Sequence, residues 1–287
     1  MKRRKINYFK YFSLFLAIAV LVFIAGCGGT NSITPPTGII DVKSTPAGAK
    51  VYLDGVDTGQ ATPIILPNID EGSHTIKLDL FHYKIWEDTA VAVNANQTTY
   101  LNPPLDYATT QYITLQPGAA GIDSGVSSVS PDTKWGNLPY SDVGNSATSV
   151  YRTYIKFGLG TVPATAVVLD ADLMLYRYSG NGTDSFMVGL HQVTSAWDEG
   201  TITWNIQPTY SVDAEITSNI TATVGWKSWW DIDSLVQAWL DGSITNYGVV
   251  LRDTDEASVN TVAWFWTSDY TSDTSKCPKL VISYYIP

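Results

Sequence analysis

From residue 39 to the C-terminus the chain is built of short runs of Val, Ile, Tyr and Thr, broken every few residues by Gly, Pro, Asn or Asp. Within these runs apolar and polar residues alternate with period two, the spacing of half-buried strands. Helical spacing occurs once. Asp233 stands as an N-cap, Leu235, Val236, Trp239 and Leu240 follow on one face, and Gly242 closes the segment, which makes Trp239 a core anchor. A chain patterned this way can bury its apolar residues only by packing sheet on sheet, so an all-β fold with one short helix is expected. With 287 residues, 45% of them hydrophobic, there is material for packed cores, and wholesale disorder is excluded.

The first ten residues carry Lys2, Arg3, Arg4, Lys5 and Lys10, and Phe12 to Ala25 is apolar apart from Ser13. That run of 14 residues falls short of the roughly 20 needed to span a bilayer and has the length of a signal-peptide core. It ends in Ile24-Ala25-Gly26-Cys27, which resembles the lipobox of bacterial lipoproteins. The resemblance implies removal of residues 1–26, acylation of Cys27, export, and anchoring at the cell envelope or cell surface. Cys277, the other cysteine, then has no partner within the chain and reads as a buried or edge thiol. The fold must stand without a disulfide.

Five of the 17 Lys and Arg lie in the first ten positions and no acid precedes Asp41. The remainder therefore holds 12 basic and 27 acidic residues, a net −15. A body this acidic repels nucleic acid and anionic lipid surfaces. Residues 27–38, rich in Gly, Ser, Thr and Pro, read as a tether; 39–102 as a first β unit; 103–110, beginning Pro103-Pro104, as a linker; and 111–287 as a larger β unit. In the first unit strands are expected at 39–44, 50–53, 64–66, 74–80, 86–93 and 98–101, with Asp54-Gly55 as a hairpin turn.

The first unit carries Ser44-x-Pro46-Ala47-Gly48-Ala49-x-Val51-Tyr52-x-Asp54-Gly55, then Gly59, Thr62-Pro63, Gly72-x-His74-x-Ile76 and Tyr83. It resembles a PEGA domain, with Ala47 in place of the name-giving Glu. The resemblance implies a small Ig-like β-sandwich that serves as a spacer.

The second unit contains Tyr151-Arg152-x-Tyr154-Ile155-Lys156-Phe157, Ala171-x-Leu173-x-Leu175-Tyr176, Trp197-Asp198-Glu199-x-Thr201-Ile202-Thr203-Trp204-Asn205, Trp230-Asp231-Ile232-Asp233, Asn246-Tyr247-Gly248-Val249 and Pro278-Lys279-Leu280. In order and spacing it resembles the DNRLRE-type domain, also classed among carbohydrate-binding modules. The resemblance implies a jelly-roll β-sandwich and, in some members, polysaccharide binding, including of acidic glycans. Gly158 stands where the family usually has Asp. The Trp197-Asp198-Glu199 and Trp204 group is read as structural, Trp at loop–strand junctions with acids tying down turns.

Nine of the ten Trp lie after residue 105, so the task is to separate core rings from sugar platforms. Two candidate sites emerge. One is an outward stripe of Arg152, Tyr154 and Lys156 with Tyr176, Tyr178 and Arg252 beside it, rings and cations suited to a sugar bearing carboxylate or sulfate. The other is a loop platform of Trp135, Tyr140, Trp266 and Tyr270, suited to a neutral glycan. Asp253, Asp255 and Glu256 cluster oxygens that could hold a structural calcium ion, without EF-hand spacing; solvated loop acids are the plainer reading. No nucleophile elbow, His-Glu-x-x-His or phosphate loop occurs, and no catalytic residues are assigned. The expected function is polysaccharide binding by an anchored lipoprotein. The alternative is a purely structural envelope or matrix protein that contacts other proteins.

Overall fold

The computed structural model describes residues 35–117, 122–181, 185–257 and 261–287. Cys27 and the expected signal peptide lie outside them. No helix among the described residues is long and apolar enough to cross a membrane.

The first module stacks two sheets. Strands β1 (Thr37–Val42), β4 (Ile64–Asp70) and β7 (Thr98–Leu101) form one, in the order β4-β1-β7. Strands β2 (Lys50–Leu53), β3 (Val56–Ala61), β5 (Gly72–Asp79) and β6 (Trp86–Val93) form the other, in the order β3-β2-β5-β6. Ile40, Val42, Val51, Ile76, Leu78, Val91 and Val93 fill the space between them. Asp54 and Gly55 both have positive φ, as a two-residue hairpin turn matched to strand twist requires. Strand β3 was not legible in the sequence: Val-Asp-Thr-Gly-Gln-Ala is an exposed edge, and an edge with neither face buried carries no alternation. His74 lies on β5 between two acceptors. Its Nδ1 is 2.7 Å from Asp54 Oδ2 and its Nε2 2.8 Å from the Asp70 carbonyl.

Residues 103–108, expected to be a linker, belong to this module. Thr45 N donates to Pro103 O (3.0 Å) and Leu105 N to Thr45 O (2.8 Å). Lys84 N donates to Asp106 O (2.8 Å) and Ala108 N to His82 O (2.9 Å). Leu105 enters the core. The two prolines do not free the segment, because Pro103 needs only its carbonyl to bond and Leu105 supplies the next N–H. Limited proteolysis should therefore leave 103–108 uncut until the module unfolds. Early cleavage there would show a loose junction.

The second module is a jelly-roll β-sandwich whose strands form one hydrogen-bonded path, β14-β13-β16-β11-β10-β17-β12-β18-β8, with β9 added on β11 and β15 on β12. The elements that position the site are β9 (Asp123–Ser127), β10 (Tyr140–Asn145), β11 (Val150–Ile155), β12 (Val167–Asn181), β15 (Gly225–Trp229), β16 (Val249–Asp253), β17 (Thr261–Trp266) and β18 (Lys279–Tyr285). The remaining strands are β8 (Gln111–Leu115), β13 (Phe186–Gln192) and β14 (Ile216–Ile220). Along β12, Ala171, Leu173 and Leu175 point inward to Trp229, Phe265, Leu280 and Ile282, as their period-two spacing foretold. The helix α1 (Asp233–Leu240) buries Leu235, Val236 and Trp239 in the same core. Its N-cap is Ile232 with no side-chain bond, so Asp233 is the first helical residue and acts through its charge at the helix start. Cys277 is buried and is the free cysteine among the described residues. Tyr285 packs edge-on against Phe81 (5.8 Å) and near His82 (5.0 Å), which docks the two modules.

Candidate functional site

The expected outward stripe on β11 is not outward. Residues 193–210 fold back over this side of the sheet, and Trp197, Trp204, Tyr210 and Tyr247 build a second small core on Val126, Tyr154, Val193, Ile202 and Val250. Tyr154 is fully buried and donates its hydroxyl to Gln207 Oε1 at 2.9 Å; burial raises its phenol. Arg152 is held from both sides. Its Nε and Nη2 bind the two oxygens of Glu256 at 2.7 Å each, its Nη1 binds Gln207 Oε1, and its guanidinium lies 4.7 Å from the Trp204 ring centre. Arg252 Nη2 shares Glu256 at 2.8 Å. Tyr176 and Tyr178 are not neighbours of this group; they sit on β12, separated from β11 by β17 and β10. The stripe is corrected to an internal ion-pair network, because a long loop covers the face that the strand pattern alone left open. Lys156, at the end of β11, stays half-buried outside the network and lines a pocket with Ile113, Gln116 and Phe157.

The same network bears on the calcium candidates. Both Glu256 oxygens are committed to guanidinium groups, and Asp253 accepts from Asn145 Nδ2 and the Asp255 N–H. Among the described residues no group of three or more His, Cys, Asp or Glu could hold a metal ion. The Trp197 segment serves the fold: Trp197 Nε1 donates to Tyr247 O, the Asp198 carbonyl holds the turn to Ile202, and Glu199 Oε1 accepts the Asp123 N–H.

The rings that face outward gather farther along the same hydrogen-bonded path, on β10, β17, β12 and β15 and in the loop after β17. Tyr178, Trp266 and Tyr270 stack like plates, with centroids 3.7 Å apart at 11° and then 3.8 Å apart at 4°. Tyr140 meets Tyr178 edge-on at 6.5 Å, and Trp264 lies 6.2 Å from it. The cluster extends across β12, where Tyr176 meets Trp226 of β15 edge-on at 5.4 Å. Lys276 reaches over Tyr176 (5.2 Å) and Lys279 over Trp226 (4.4 Å). A β-bulge between Arg177 and Ser179 re-aims β12 at this point, with Tyr178 on it. All seven rings are half-buried. None of their hydroxyl or indole N–H groups bonds to a described residue, and none is sealed from solvent. The result is a band of rings across the strands, its polar edges open.

Tyr140, Trp266 and Tyr270 of the expected loop platform thus come together, joined by Tyr178 from the other group. Trp135 does not join them; it makes no ring contact with another described residue, and its Nε1 is buried without a partner. Trp264 and Trp226 were missed, although Trp264 and Trp266 alternate on one strand and both flank buried Phe265. Also missed was Asp142, the only charged residue on β10 and β17, paired in register with Trp264. Burial pushes its carboxyl up to about 7, and with Tyr140 it adds to the burial that pushes the Tyr178 phenol up to about 12.

Flat apolar rings with open polar edges can take the C–H faces of sugars while bonding their hydroxyls. The model of carbohydrate-binding module family 96 matches residues 112–284, and that of the PEGA domain matches residues 37–108. No curated protein matches the chain.

Proposed function

The chain belongs to carbohydrate-binding module family 96, and on that premise we propose that it is an exported, lipid-anchored protein that holds extracellular or cell-wall polysaccharide on the aromatic band of its C-terminal sandwich. The PEGA module is the spacer between anchor and band. The observation that carries this reading is the band itself: seven outward rings, six on neighbouring strands and Tyr270 in the loop after β17, whose polar edges have no partner among the described residues. The fully buried Trp229 differs from these rings, its Nε1–H donating to Val188 O at 3.1 Å. The two modules found are binding modules, and catalysis forms no part of the reading.

Affinity electrophoresis of the mature protein through polysaccharide gels tests it. A retarding polysaccharide should lose its grip on Trp266→Ala and Tyr178→Ala by at least about tenfold, the scale of a lost stacking contact plus its hydrogen bond. Tyr100→Ala, which removes an exposed ring of the first module, should be retarded like the parent protein. Retardation that ignores both band substitutions would move the site elsewhere. Binding of protein partners without any glycan signal would favour the structural alternative. The anchoring half of the reading is tested separately: Cys27→Ser should abolish lipid labelling and release the protein from membranes, and unchanged labelling would refute it.

A further inference from the structure

Asp142 is out of place by any structural criterion. It occupies an outward position on β10, between Tyr140 and Gly144, directly opposite Trp264. Its Oδ1 is sealed from solvent and has no hydrogen-bond partner. Its Oδ2 also has no partner among the described residues, but is open to solvent. No cation among the described residues pairs with it; the cations of the band, Lys276 and Lys279, lie over Tyr176 and Trp226. A carboxyl so placed loses hydration and gains nothing from the protein in return, which is unfavourable for the fold. Several other acids of this module are bonded, Asp123 to Ser268, Asp253 to Asn145 and Glu256 to two arginines; Asp172 on β12 shares with Asp142 a sealed oxygen without a partner among the described residues, but Asp142 is the acid paired in register with a ring of the band.

We propose that Asp142 is the specificity-determining residue of the band: its carboxyl accepts a hydroxyl or acetamido proton from a neutral sugar unit seated beside Tyr178 and Trp264. This rests on the band being the glycan site. The open Oδ2 is the acceptor, and the rings around it supply apolar contact for the sugar's C–H face. Sugar hydroxyls are donors as well as acceptors, and the outward indole N–H groups of Trp264 and Trp266 offer only donors, so the carboxyl supplies the acceptor those indoles lack. Above about pH 7, where the Asp142 carboxyl is ionised, a sugar unit carrying a carboxylate or sulfate meets a like charge here, in a site where water no longer screens it. The β10 end of the band therefore takes neutral sugars and turns acidic ones away, and the body's net −15 adds to that discrimination during approach.

The test uses the mature protein at a pH above 7, where the Asp142 carboxyl is ionised, with laminarin, galactomannan and chitohexaose as neutral probes and alginate and polygalacturonate as acidic ones, measured by calorimetry and affinity electrophoresis. At least one neutral probe should bind ten times or more tighter than either acidic probe. Asp142→Ala should weaken that neutral probe by about tenfold or more, the scale of a hydrogen bond to a charged acceptor. Asp142→Asn, which keeps shape and one acceptor, should weaken it less and narrow the gap between neutral and acidic probes; thermal melting verifies that both variants fold. If Trp266→Ala and Tyr178→Ala abolish binding while Asp142→Ala matches the parent, or if acidic probes bind as tightly as neutral ones, the role of Asp142 is overturned and the band stands. If the parent protein retains no probe, or the band substitutions change nothing, both readings fall.

Discussion

Arg152→Ala should cost the C-terminal module about 3–5 kcal/mol of stability, the scale found when one member of a buried charge network is deleted. Its guanidinium and the Glu256 carboxylate are each only about one-seventh exposed, with side-chain exposures of 13% and 15%. Removing Arg152 leaves Glu256 with Arg252 alone and leaves Gln207 Oε1 with Tyr154 alone, and it strips the cation from the face of Trp204. Arg152→Lys should recover little, since an ammonium cannot make two parallel bonds to a carboxylate. Denaturant unfolding of the variants measures this. Glycan retention at a temperature where the variant is still folded should be unchanged. A variant that melts like the parent yet loses retention would restore this residue to the binding surface.

The second large effect is a dependence on pH. Asp123 on β9 is almost wholly buried; its two oxygens accept from the Ser268 N–H at 2.8 Å and the Ser268 hydroxyl at 3.2 Å. Desolvation, with some repulsion from Glu199 and Asp269, overrides those bonds and pushes the carboxyl from 3.8 up to about 7. The folded state thus holds this proton more tightly than the unfolded chain does. The contribution of Asp123 to stability is then fully present below about pH 4 and declines as pH rises to about 7, above which it is lost. Three pKa units correspond to a change on the order of 4 kcal/mol across that window. Asp142 adds a slope of the same sign. Asp123→Asn, which keeps a polar side chain of equal size, should flatten the decline. Parallel stability–pH curves for the two proteins between pH 4 and 7 would contradict the assignment.

Period two located the core: Ala171, Leu173 and Leu175 share one face, and the single 3.6-residue stretch became the single α-helix among the described residues. Both depend on contacts within a few residues or on a face that must be buried. What failed was long-range. Nothing in Tyr151 to Lys156 shows that residues 193–210 will lie on top of it, so Arg152, Tyr154 and Arg252 read as a solvent face. The ring band was half legible. Tyr140, Trp266 and Tyr270 could be grouped as platform residues, but Tyr178 reaches them through a bulge, and a bulge is set by pairing with β17 rather than by local composition. Asp142 carried no signal, because an Asp in a strand looks like a solvated face until its neighbours are known to be Tyr140, Trp264 and Tyr178.

Strand β1 pairs with β7 in parallel, Ile39 opposite Thr98 and Val42 opposite Leu101, and the register continues through the bonds of Lys43 to Leu101 and of Thr45 to Pro103 and Leu105. The chain enters this pair at the start of β1 and leaves for the second module from the end of β7. A pull between the two ends therefore runs along the strands in opposite directions and loads every bond of the pair in shear at once. A hairpin pulled from its open end parts one bond at a time. If the protein is anchored and holds a polymer as proposed, a cell tugged by shear flow would load the first module through the arrangement in which hydrogen bonds give way only together.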